Sequence, residues 1–173
     1  MRSIRVSSRL FERDDLSVIK RGATIDQTGL YRYLLWREWD AAALRVGFVM
    51  LNPSRADGAM DDPTIRRCIG FARSWGYGGL EVVNLFAYRT AKPSELRQVI
   101  DPVGLENDAY LRSLIQRVDR VILAWGNWGT WQGRDRAVLA LFGSTRLHCL
   151  AITKIGQPKH PLYLHSRCLP VSF

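Results

Sequence analysis

Apolar runs that read as strands alternate along this chain with stretches whose apolar residues recur at helical spacing. Arg45–Leu51 (RVGFVML) has too few polar residues to show one face to water, the pattern of a strand buried on both sides. Asp62 and Pro63 then mark a helix start, an acid that can cap free N–H groups before the residue that lacks one. Ile65, Cys68, Ile69 and Ala72 fall at i, i+3, i+4 and i+7 and form one apolar stripe, which Gly76, Gly78 and Gly79 end. Leu80–Phe86 (LEVVNLF) returns as a strand. Leu111, Leu114, Ile115 and Val118 make a second stripe before the strand Arg120–Trp125 (RVILAW). A helix over Gly133–Phe142 and a last strand over Arg146–Ile152 complete the series. The fold class expected from this order is α/β: a three-layer α/β/α sandwich with a mainly parallel central sheet. Upstream, Arg32–Asp40 (RYLLWREWD) and Arg45–Leu51 are predicted to form a β-hairpin or adjacent strands. No repeat or Pro/Ser-rich linker divides the chain, so residues 1–173 are taken as one domain, with 1–44 as an N-terminal extension and 45–165 as the core.

Charge narrows the partners. The 173 residues carry 25 Lys plus Arg against 16 Asp plus Glu, a net +9, and such an excess attracts polyanions, nucleic acid first among them. A merely solubilising surface is the other reading. The three cysteines, Cys68, Cys149 and Cys168, are odd in number and lack CxxC spacing, so neither a disulfide framework nor a zinc site is indicated and a reduced, cytoplasmic protein is expected. Ala137–Phe142 is the longest strictly apolar run, far short of the roughly 20 residues that span a bilayer. The basic start, Met1–Arg5, leads into no apolar signal-peptide core.

In a parallel α/β sheet, ligands bind beyond the carboxyl ends of the strands, and the unusual polar residues of this chain fall there. Asn52 follows the first core strand; its amide can position a water without titrating, and Asn52-Pro53 can equally be a plain turn. Asp57 and Asp61 are candidate bases, while Asp62 is accounted for as a helix cap. Asn84 interrupts an apolar strand, where an amide needs hydrogen bonds from a ligand or from a neighbouring loop. Phe86 and Tyr88 stand where aromatics either stack on a base or, more commonly, pack the core. Gly126 and Asn127 lie in a segment, Trp125–Gly133, whose small residues expose N–H groups to phosphate. His160, stiffened between Pro158 and Pro161, can donate to a developing anion. His148 reads as a core or edge residue, and His165 lies near Arg167 in the tail. No metal cluster, Ser-His-Asp triad or cofactor fingerprint is evident.

Together, LNPSRAD, DDPT, VNLFAYRT, AWGNWG and KHPLYL resemble the bacterial family catalogued as domain of unknown function 1643, from about Tyr33 to Leu164. More distantly, their order is similar to the uracil-DNA glycosylase superfamily. Phe48–Ser54 (FVMLNPS) resembles that superfamily's G-[IL]-N-P-G, with Asn52 at the water-orienting Asn and Ser54 replacing the last Gly. Val83–Thr90 (VNLFAYRT) resembles T-N-M-V-x-R-T-T, Trp125-Gly126 keeps the end of L-W-G, and His160–Leu164 (HPLYL) is similar to H-P-S-P-L, with Leu162 and Tyr163 at its Ser and second Pro. The resemblance implies a glycosylase without metal or organic cofactor, and the departures imply a changed pocket and a base other than plain uracil.

The expected activity is therefore hydrolysis of the N-glycosidic bond of a damaged or modified base, for instance a modified pyrimidine in foreign DNA, after the base leaves the stack. Asn52, with Asp57 or Asp61, would hold water; His160 would stabilise the departing base; Asn84, Phe86 and Tyr163 would contact it. Ser54, Arg55, Arg66, Arg67, Arg89, Gly126, Asn127, Lys154 and Lys159 would meet DNA. The alternatives are a non-catalytic nucleic-acid-binding module and a hydrolase of free nucleosides or nucleotides.

Overall fold

A computed structural model describes residues 20–173; the basic start of the chain lies outside them. The seven strands of the described residues are β1 (Lys20–Ile25), β2 (Arg32–Glu38), β3 (Arg45–Met50), β4 (Gly79–Asn84), β5 (Arg120–Leu123), β6 (Leu147–Cys149) and β7 (Val171–Ser172). They form one sheet in the order β1-β2-β4-β3-β5-β6-β7. β4, β3, β5 and β6 run parallel at its centre, and antiparallel strands extend it on both sides. The segments 32–40 and 45–51, predicted to form a hairpin or adjacent strands, are not neighbours in the sheet. β2 pairs with β1 and β4 instead, because β4 already occupies the edge of β3 that a hairpin would use.

Side-chain alternation along the strands divides the core in two. Val46, Phe48, Met50, Leu80, Val82 and Ile122 meet Ile65, Cys68, Phe71 and Ala72 of α1 (Pro63–Ser74) on one face. Val49, Val83, Val121 and Leu123 meet Leu111 and Leu114 of α2 (Asn107–Arg117) and Val138 and Phe142 of α3 (Arg134–Phe142) on the other. Asp62 caps α1 as its sequence predicts, Oδ1 accepting from the Ile65 N–H at 2.9 Å. No helix of the described residues is long and apolar enough to cross a membrane.

The loop 52–62 is fastened from beneath by Arg37, which is 1% exposed. Its fork uses all five N–H groups: one to the Asp61 carboxylate at 2.7 Å, the others to the carbonyls of Gly22, Trp36, Asp57 and Met60. Removing the guanidinium strands these acceptors under the sheet. Arg37→Leu is expected to lower the unfolding free energy by about 3–5 kcal/mol, the usual cost of breaking a buried ion pair from one side. Gly70→Ala, on the exposed face of α1 with open space around it, is expected to raise it by about 0.5–1 kcal/mol. Urea denaturation measures both, and an unchanged Arg37→Leu transition would contradict the fastening role.

Candidate functional site

Because the four central strands are parallel, their carboxyl ends share one edge, and a cleft of about 520 Å³ opens there. Asn52, Ser54, Asn84, Gly126, Asn127, His160 and Tyr163 line it together, with Asp62 and Arg32. Each is set by local structure. Asn52 Nδ2 donates to the carbonyls of Pro53 and Thr90 at 2.9 and 2.8 Å, which commits the amide nitrogen and leaves Oδ1 as an available acceptor. The chain beyond β4 is zipped to the chain beyond β3 by main-chain bonds Leu85 to Met50, Phe86 to Leu51 and Thr90 to Pro53. Asn107 Nδ2 braces the end of β4 at the carbonyls of Asn84 and Leu85, 3.0 Å from each.

On the far side, Gly126 adopts φ +72°, a conformation side chains resist, and turns the chain after β5 into the cleft wall. Trp125 Nε1 donates to Gln157 at 2.7 Å, and Gln157 Nε2 donates to Asp135 at 3.1 Å, so the loop bearing His160 is tied to β5 and α3. The half-buried His160 accepts from the Leu162 N–H through Nδ1 at 3.3 Å. A neutral ring that accepts at Nδ1 carries its proton on Nε2, and burial keeps His160 below its ordinary titration range, opposed by the charge of Asp62. The imidazole is therefore neutral at pH 7, with its proton on Nε2. The exposed Tyr163 ring stands 5.7 Å from it at the mouth.

Other predicted residues are placed elsewhere. Asp57 accepts from the Ala59 and Met60 N–H groups, each at 2.8 Å, and Asp61 is held by Arg37 at 2.7 Å. Both belong to the loop fastening and neither lines the cleft. The acid that does line it is Asp62, which uses one oxygen to cap α1. Phe86 is fully buried against Trp131, its ring 5.1 Å away, so it packs the core and cannot stack on a base from there. Arg67 is turned onto the Leu164 carbonyl and the Phe71 ring. Arg89 donates to the Gly29 carbonyl at 2.9 Å, and Arg66 to that of Asp61 at 2.6 Å. Arg55 and Lys154 are exposed and Lys159 adjoins His160; none of these six cations lines the cleft.

Sequence reasoning missed Arg32. It opens β2, whose antiparallel course beside β4 brings it to the carboxyl ends, with its main-chain N–H donating to the Ala87 carbonyl at 2.9 Å. A cation at the start of an apolar strand ordinarily reaches solvent, yet Arg32 is 2% exposed. Burial pushes its guanidinium down to about 10, with Asp62 opposing, which leaves it charged at neutral pH.

In a proton titration followed by NMR, His160 is expected to show a midpoint below 6.5, with the Nε2–H tautomer above it. Since the folded state then binds fewer protons than the unfolded chain, its contribution is fully present above 6.5 and fades as pH falls through the folded midpoint. A midpoint above 6.5, or the Nδ1–H tautomer, would contradict the neutral-donor assignment.

No curated protein and no solved structure matches this chain. A family model does match, over residues 32–162, which takes in β2 through the cleft-lining His160 and most of the sheet. On that match the chain belongs to the family described as protein of unknown function DUF1643.

Proposed function

We propose that this protein is a DNA glycosylase that hydrolyses the N-glycosidic bond of a damaged or modified base flipped into the cleft. The observation that carries the reading is the pairing of Asn52, its amide nitrogen anchored and Oδ1 available, with the neutral donor His160 in one cleft. Cleaving a glycosidic bond builds positive charge on the sugar and negative charge on the base, so the two ends of the bond need opposite partners.

Asn52 Oδ1 and the Asp62 carboxylate hold the water. Its oxygen bonds to the anomeric carbon as the carbon–nitrogen bond breaks, the electron pair of that bond leaves with the base, and Asp62 accepts the water's proton. His160 Nε2–H donates a hydrogen bond to the departing base, which then takes its proton from solvent. The products are the free base and an abasic site. Asp62 replaces Asp57 and Asp61 in this scheme because it is the acid in the cleft. A distant likeness of the motif order to the uracil-DNA glycosylase superfamily, and of the fold expected with it, supports the same reading.

DNA attraction draws on the net +9. Arg55, Lys154 and Lys159 flank the cleft in sequence, and Arg97 stacks on the Trp128 ring at 4.8 Å on its rim. Incubation with oligonucleotides carrying varied bases, followed by alkaline cleavage, should reveal abasic sites at one class of base. Affinity should fall linearly on a log–log salt plot, with a slope of about −0.9 per duplex phosphate neutralised. Salt-insensitive binding with cleavage of free nucleotides would point instead to a hydrolase of small substrates, and binding with no cleavage of either to a non-catalytic module.

A further inference from the structure

Among the described residues, the other deeply buried arginines of this protein face carboxylates: Arg37 meets Asp61 at 2.7 Å, and Arg134 meets Asp108 at 2.5 Å. Arg32 does not. Its Nη1 donates to the Ala56 carbonyl at 2.8 Å and its Nη2 lies 3.4 Å from Asn84 Oδ1, both neutral acceptors, while its buried Nε has no acceptor. A guanidinium 2% exposed and hydrogen-bonded only to neutral groups, with Asp62 acting on it from beyond ion-pair distance, is incompletely compensated. Arg32 lies in the wall of the cleft, so an incoming ligand can supply the missing compensation.

Asn84 sharpens the chemistry. Arginine offers donors and no acceptor, so Asn84 must turn Oδ1 towards Arg32, which leaves Nδ2 as the group free to meet a ligand. Asn84 is itself 2% exposed and lines the same cleft, and the brace from Asn107 fixes its backbone. The inner wall thus offers donors from two residues, and His160 Nε2–H is a third. Asn52 Oδ1 and Asp62, acceptors of the same cleft, hold the water in the scheme above.

We propose that the inner end of the cleft recognises an acceptor-only edge of a nucleobase, either the adjacent O6 and N7 acceptors of a 6-oxopurine or a carboxylate carried on the ring, with Arg32 and Asn84 as the donors. The placing of a flipped base there rests on the glycosylase reading. Uracil and thymine present a ring N–H between their carbonyls, which would set donor against donor. The inosine edge O6/N7 and the carboxylate of 5-carboxycytosine both satisfy the wall, since the arginine fork matches paired acceptors.

The test uses single-stranded oligonucleotides of adenine and thymine with one central test base: hypoxanthine, 7-deazahypoxanthine, 5-carboxycytosine, cytosine or uracil. Fluorescence anisotropy measures affinity, and alkaline cleavage of the same samples measures excision. Hypoxanthine or 5-carboxycytosine should bind roughly 5- to 150-fold tighter than its matched control and than uracil, the range a good bidentate contact gives; which of the two does so identifies the source of the edge. Asn84→Asp sets a carboxylate against Arg32 and removes the Nδ2 donor, so it should melt at or above the wild-type temperature and lose the preference. Arg32→Gln should lose it as well. Tightest binding to uracil, no discrimination among the bases, or an Asn84→Asp variant that keeps the preference would overturn the proposal. Excision of uracil alone would overturn it while upholding the glycosylase, and the acceptor preference without abasic sites would do the reverse.

Discussion

Asn52 gives its amide N–H groups to the carbonyls of Pro53 and Thr90, and the bond to Thr90 joins the chain leaving β3 to the chain leaving β4. Two parallel strands can be paired along their length and still splay at their carboxyl ends, where the loops diverge to different helices. Here the main-chain bonds from Leu85, Phe86 and Thr90 continue the pairing past the strands, and Asn52 closes it. The same act orients Oδ1. In the proposed reaction, positioning and chemistry therefore share one side chain, and a misplaced Asn52 would be felt by both loops. Preorganised polar groups of this kind cost nothing to reorganise when charge develops in a reaction.

Buried charge organises the rest of the cleft. Arg37 and Arg32 lie on the same strand, five residues apart, and have opposite fates. Arg37 is fully satisfied and serves the loop 52–62, drawing Asp61 and the Asp57 carbonyl beneath β2. Arg32 braces the same loop through Ala56 but has no carboxylate of the described residues within ion-pair distance. The two guanidinium groups reach the same loop at different points: one meets the Asp61 carboxylate, and the other meets the Ala56 carbonyl beside the cleft.

Much of the frame was legible because local chemistry dictated it. Asp62-Pro63 starts α1 whatever packs on it, and the uniform apolarity of Arg45–Met50 can be met only by burial on both faces. The expected convergence of Asn52, Asn84, Gly126 and His160 followed from the parallel sheet. What the residues concealed was pairing over distance. Nothing local distinguishes a strand that pairs with β3 from one that pairs with β4, so the residues of β2 do not reveal its partner. Asp57 and Asp61 look like free acids until Arg37 and the turn N–H groups are placed around them. The edge strands β1 and β7 are short or exposed and carry little apolar pattern, although Phe173 after β7 reaches Trp125, their rings 6.3 Å apart. Phe86 sits in the core because the alternation of β4 breaks after Asn84: Leu85 and Phe86 both join the side of the sheet that α2 and α3 cover, where Phe86 meets Trp131.

In the proposed reaction, Asn52 and His160 act on opposite ends of a breaking glycosidic bond. Single-turnover kinetics on the excised base, with DNA affinity measured in parallel, test it most directly. Asn52→Ala and His160→Ala should each slow the chemical step by roughly 10²–10³ while binding DNA as the wild type does, since both groups work mainly in the transition state. Variants that cleave at the wild-type rate would contradict the assignment of water to Asn52 and of the leaving base to His160.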